Sequence, residues 1–132
     1  MRFGGSFPER EEPMGTDLGA IREYVQAAES MGYRHIRTGD HVLGANAGSR
    51  PGWQGAYDHT DLIHESFILF GYLAAIPHSI DLDTAIIILP QRQTVLVAKQ
   101  TAAIDVLSGG RMRLGIGIGW NDVEYEALEE DF

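Results

Sequence analysis

The chain has 132 residues, no cysteine, 44% hydrophobic and 22% charged residues, and a formal net charge of −9. This is a globular composition with enough apolar material for one modest core. The acidic balance argues against a surface built for nucleic acid or an anionic membrane, and the absence of cysteine excludes disulfides and thiolate metal sites, which fits a reducing cytoplasm.

Residues 2–6 read as a short first strand, closed by Pro8 and the polar loop PEREEPMG. No apolar signal-peptide core or spanning segment is present. Thr16 or Asp17 offers an N-cap to a helix whose apolar positions, Leu18, Ile21, Tyr24, Val25 and Ala28, recur at helical spacing up to Gly32. His35, Ile36, Arg37 and Thr38 form the second strand. A loop at 40–65 follows, with glycines at 44, 48, 52 and 55. Long loops inside compact domains tend to be functional or disordered. This one carries Trp53, Tyr57, His59 and His64, and is expected to act as a substrate and cofactor lid.

SFILFGYLAAI, at 66–76, is apolar nearly all round and predicts a fully buried helix too short to span a membrane. The β-branched run at 80–89 predicts a buried parallel strand, closed by Pro90. Thr94 caps a helix through Leu107, with Lys99 and Asp105 on its solvated side and Gly109 as the left-handed cap. Residues 112–116 are the fourth strand, 117–120 a turn, and Asn121 or Asp122 caps a further helix from Val123. The chain stops at Phe132 just after that helix begins, which predicts an incomplete domain.

Alternating strands and helices imply a parallel sheet, either open and doubly wound or part of an eight-stranded barrel. A whole barrel takes about 250 residues, so four strands here fit the amino-terminal half of a (β/α)8 TIM barrel. Both architectures gather ligands at the carboxyl ends of the strands. Those ends are Ser6, Asp40-His41, residues 85–91 and residues 117–121.

Gly115-x-Gly117-x-Gly119 hints at a dinucleotide fingerprint, but Trp120 stands where that motif needs glycine. A bare backbone there admits a flat ring or a phosphate; tight packing is the other use of the same glycines. Asp40-His41 is the best catalytic pair, because histidine moves protons near neutrality. Adjacency in sequence does not require the two side chains to touch. His41, His59 and His64 match no metal-ligand spacing, so no metal is expected.

The run AKQTAAIDVLSGGRMRLGIGIGWNDVEYEAL, with GDHVLG at 39–44, RPGWQGAYDHTD at 50–61 and ILPQRQTVLVAKQ at 88–100, resembles the luciferase-like monooxygenase superfamily. The DHVLG and RPGW pieces point to its coenzyme F420-dependent branch. The resemblance runs through all of 1–132, as the amino-terminal part of a single barrel domain. It implies a deazaflavin across the carboxyl face, bordered by Asp40, His41, Ala85, Ile86, Gly117, Ile118, Gly119 and Trp120. His41 is the implied acid/base, and Trp53 and Tyr57 shape the substrate side. A non-prolyl cis peptide is implied at Ala85-Ile86. Three positions depart from the family's pattern: Ala85, where glycine or serine is common, Asp83, a charge in the strand, and Glu129, where glycine is common.

The implied activity is hydride transfer between coenzyme F420 and a small organic substrate, in a cytoplasmic protein that is homodimeric at full length. The alternatives are an FMN-dependent two-component monooxygenase using O2, and an inactive truncated fragment, since half a barrel leaves strand edges unpaired.

Overall fold

The structure is a computed structural model that describes residues 2–8, 10, 14–77 and 79–132. Residues 9 and 11–13 of the expected polar loop lie outside the described residues. Six short strands, β1 (Gly4–Ser6), β2 (His35–Thr38), β3 (Asp81–Thr84), β4 (Ile87–Ile88), β5 (Met112–Arg113) and β6 (Ile116–Gly117), alternate with four helices. These are α1 (Leu18–Ser30), α2 (Ser66–Leu73), α3 (Thr94–Ser108) and α4 (Asp122–Leu128). All pairing is parallel, in the order β1-β2-β3-β5, with β4 against β6. The strands thus run in chain order, without the reversal that marks a doubly wound sheet. The architecture is the barrel one, four βα units long.

The two sheet faces differ in chemistry. Ile36, Thr38, Leu82 and Thr84 are buried toward the helices, where Ile21 and Val25 of α1, Phe67, Phe70 and Leu73 of α2, and Val97 and Ile104 of α3 complete one core. The opposite face carries Arg37, Asp83 and Arg113 in mutual register. The run expected to be a buried strand therefore alternates, with Asp81 and Asp83 half-buried on the charged face.

Two expected strands are each interrupted. The run at 80–89 breaks between β3 and β4, where the Ala85-Ile86 peptide is cis. The run at 112–116 breaks between β5 and β6. The breaks face each other and satisfy one another's backbone: Thr84 Oγ1 donates to the Gly115 carbonyl and accepts from its N–H, both at 2.9 Å, while Ile87 N donates to the same carbonyl at 2.8 Å. Gly115 is required here, because a Cβ would stand 2.3 Å from the Thr84 carbonyl oxygen.

Helix ends account for other corrections. Asp17 caps α1, and Asn121 caps α4. Thr94 is the first residue of α3 and Gln93 is its N-cap, without a side-chain bond. Gly109 is left-handed at φ +72°. The helix α2 ends at Leu73, three residues early, and Ile68 is 73% exposed, so it is not buried all round. Arg111 gathers the carbonyls of this region: Nε donates to Ser108 at 2.6 Å, Nη1 to Ile80 at 2.9 Å and Nη2 to Ala74 at 2.8 Å. A cation there offsets the partial negative charge of two helix C-termini. Lys99 is exposed, whereas Asp105 is half-buried and accepts from Met112 N at 3.3 Å. Among the described residues no helix is long and apolar enough to cross a membrane.

Candidate active site

The carboxyl ends of the strands meet in a cleft of about 300 Å³. Gly39, Asp40 and His41 enter it from the end of β2, Ala85, Ile86 and Ile88 from the broken third strand, and Gly119 and Trp120 from the turn after β6. Six of the residues singled out by sequence thus come together: Asp40, His41, Ala85, Ile86, Gly119 and Trp120. Gly117 and Ile118 do not join them. They line a separate opening with Leu89, Pro90 and Thr94. The glycines serve close packing between strands, since a Cβ on Gly117 would lie 2.9 Å from Ile86 Cδ1 and one on Gly119 2.9 Å from Ile88 Cδ1.

The adjacent pair Asp40-His41 divides its partners. The Asp40 carboxylate is buried and accepts from Ile88 N at 2.9 Å and from Arg92 Nε and Nη2 at 2.9 and 2.5 Å. Arg92 Nη1 reaches Glu65 at 2.8 Å, and the guanidinium lies 5.5 Å over the Phe67 ring. Burial works against the Arg92 charge, but the bonds and charges of Asp40 and Glu65 outweigh it and hold the guanidinium above its ordinary range. Asp40 therefore ties the end of β2 to the chain just after the cis peptide. It is a brace, and its carboxylate is already occupied.

His41 has a different carboxylate. Its Nδ1 lies 3.2 Å from Oε1 of Glu124, a fully buried residue of α4, and that same oxygen accepts from Val42 N at 3.0 Å. The Tyr57 hydroxyl also meets His41 Nδ1, and Asn121 Nδ2 donates to that hydroxyl at 3.4 Å. Burial, partly opposed by Asn121 and helped by the Glu124 charge, raises the Tyr57 pKa far above its ordinary value, so the phenol keeps its proton. With Nδ1 engaged twice, Nε2 is the imidazole nitrogen without a hydrogen-bond partner among the described residues.

The loop at 40–65 is tied to α4 and its N-cap, by Arg50 to Glu126 at 2.6 Å and by Tyr57 to Asn121. Gly44 permits its return, because a Cβ there would sit 2.1 Å from the Asp58 carbonyl oxygen. Trp53 packs on Trp120 with ring centroids 6.5 Å apart, and Trp120 lies 6.3 Å from the His41 ring. Neither Trp53 nor Tyr57 lines the cleft directly. Tyr57 is 6% exposed and supports His41 from behind, which differs from the expected substrate wall. His59 is exposed beside Asp58, and His64 meets the Met14 carbonyl at 3.4 Å. Among the described residues no group of three or more His, Cys, Asp or Glu is arranged to hold a metal.

Glu124 and Arg92 escaped the sequence reading. Glu124 stands three residues after the N-cap Asn121, where a carboxylate ordinarily reaches back to its own helix terminus. Only the tertiary fold turns it toward His41 instead.

Comparison with known proteins bears on the same elements. The luciferase-like monooxygenase family matches residues 1–132. The chain belongs to this family. Luciferase-like proteins are oxidoreductases and monooxygenases, and flavin and deazaflavin cofactors occur among the similar structures. One curated relative, a pyrimidine monooxygenase of Bradyrhizobium, is 38% identical over 79 residues, which are 58% of this chain and 21% of that protein. The oxygenating constituent of 3,6-diketocamphane monooxygenase from Pseudomonas putida, solved with FMN, superposes with a TM-score of 0.70 at 17% identity, over 97% of this chain and 32% of its own. The coenzyme F420-dependent tetrahydromethanopterin reductase of Methanopyrus kandleri gives 0.68 at 20% identity, over 99% and 30%. The chain spans about a third or less of the length of these luciferase-like proteins.

Proposed function

We propose that this chain is part of a coenzyme F420-dependent oxidoreductase acting on a small organic substrate. The observation that carries the reading is His41 at the cleft wall, with Nδ1 held by buried Glu124 and Tyr57 and Nε2 left for a ligand. The cleft suits a flat ring, since Gly39 and Ala85 add little bulk and Ile86 and Ile88 offer an apolar floor. Asp40, His41 and Trp120 are the residues proposed to border it. When bound, the deazaflavin supplies or accepts the hydride, as cofactors carry such chemistry and proteins orient it.

The chain's own part is orientation and proton handling. A carboxylate opposite Nδ1 holds the imidazole in the tautomer whose Nε2 lone pair is available, so His41 takes or returns a proton at Nε2. Trp120, backed by Trp53, stands beside the His41 ring. The Asp40–Arg92 brace keeps the ends of β2 and β4 at a constant separation.

An FMN-dependent monooxygenase is the second reading, favoured by the 38% identity to the pyrimidine monooxygenase. Cofactor retention by the full-length protein separates them. Purified protein equilibrated with both compounds is expected to keep F420 and release FMN; preferential retention of FMN reverses the order.

A further inference from the structure

We propose that Arg37 on β2 anchors the carboxylate of a small organic-acid substrate, in the cavity beside the cofactor cleft. This rests on the reading of that cleft as the cofactor's place. The cavity, about 630 Å³, is lined by Ser6, Phe7, Pro8, Arg10 and Arg37 among others. It shares Gly39 and Ala85 with the cleft, so a molecule held in one lies alongside whatever occupies the other.

Among the described residues Arg37 differs from its neighbours in forming no ion pair. Arg10 donates to Asp61 at 2.8 Å, Arg92 to Asp40 and Glu65, and Arg113 to Asp81 at 2.7 Å. Arg37 is held only through Nε, which donates to Ser6 Oγ at 2.9 Å. Asp83 stands in register with it on β3 but forms no ion pair with it. Neither terminal nitrogen has a partner among the described residues, and a planar guanidinium with both free takes a carboxylate in a two-point grip. Among the described lining residues, Arg10 and Arg37 against Asp61 leave one positive charge. That balance suits a monoanionic carboxylate better than a phosphate dianion. Phe7, Pro8 and Ala85 supply an apolar wall for the rest of the molecule. In a chain of net charge −9, a guanidinium that forms no ion pair among the described residues and lines a cavity next to the candidate site is a specific feature.

The test uses the full-length protein with benzoate and its neutral analogue benzamide, followed by isothermal titration. Benzoate is expected to bind the wild type, at least tenfold more weakly to Arg37→Gln, and at an intermediate level to Arg37→Lys, which keeps charge but loses the planar fork. Ser6→Ala, which frees Nε without removing charge, is expected to weaken benzoate a few-fold and guards against a folding defect in the Arg37 variants. Benzamide is expected to discriminate among none of them. Absence of benzoate binding, equal binding by wild type and Arg37→Gln, or stronger binding of inorganic phosphate than of benzoate overturns the proposal. Cofactor retention is read separately: wild-type protein that keeps neither F420 nor FMN defeats the cofactor reading, whatever benzoate does.

Discussion

The replacement Glu124→Gln isolates the contact on which His41 depends. It keeps the shape of a fully buried side chain and changes its hydrogen-bonding character. The amide oxygen takes the place of Oε1, which accepts from Val42 N at 3.0 Å and lies 3.2 Å from His41 Nδ1, so an acceptor still faces Nδ1. The tautomer with its proton on Nδ1 is therefore kept, and what is lost is the negative charge opposite a proton arriving at Nε2. Folding is expected to change little, by about 1 kcal/mol, because one charged hydrogen bond becomes a neutral one. Catalysis carries the larger effect. General acid–base assistance contributes roughly 10²–10⁴-fold, and its lower end, about 2.7 kcal/mol of transition-state stabilisation, is the expected loss in kcat/KM. The tautomer is read directly from the ¹⁵N chemical shifts of the His41 ring in full-length protein, and turnover with the retained cofactor gives the rate. A His41 ring that carries its proton on Nε2 in Glu124→Gln, or a rate within about threefold of wild type, refutes the assignment.

Two further substitutions address the frame around the site. Arg92→Met strands the Asp40 carboxylate, whose side chain is 1% exposed, and breaking one partner out of a buried pair costs about 3–5 kcal/mol; chemical denaturation of the full-length protein measures it, and a loss below about 1 kcal/mol contradicts the bracing role. Glu129 ends α4 in the left-handed region at φ +58°, the only non-glycine with positive φ among the described residues. Glu129→Gly is expected to raise stability by about 1 kcal/mol, seen as a higher melting temperature; a lower one shows that the Glu129 side chain contributes more than its backbone costs.

Local chemistry in the sequence was enough for the order of elements, the parallel sheet, the caps at Asp17 and Gly109, and the carboxyl-end residues that gather in the cleft. These features depend on residue type at fixed short spacings, such as the stripe Ile21, Val25 and Ala28, or glycine after a helix. The departure noted at Glu129 also has a local reason, since glycine takes its left-handed backbone at no steric cost. The resemblance supplied the cis peptide at Ala85-Ile86, which no spacing rule indicates.

What tertiary structure alone decided is who partners whom. Asp40 and His41 are neighbours in the chain, yet successive residues at a strand end point apart. One carboxylate consequently meets Arg92, 52 positions away, while the imidazole meets Glu124, 83 positions away. Tyr57 was legible as an aromatic in a long loop, but whether it lines the cleft or buries itself behind His41 depends on how that loop packs on Asn121. Among the described residues Arg37 forms no ion pair even though strand register sets it beside Asp83, which spacing alone does not foretell. Sequence determined which chemical groups reach this end of the sheet; the packing of α4 and the lid determined which are already occupied and which remain for a ligand.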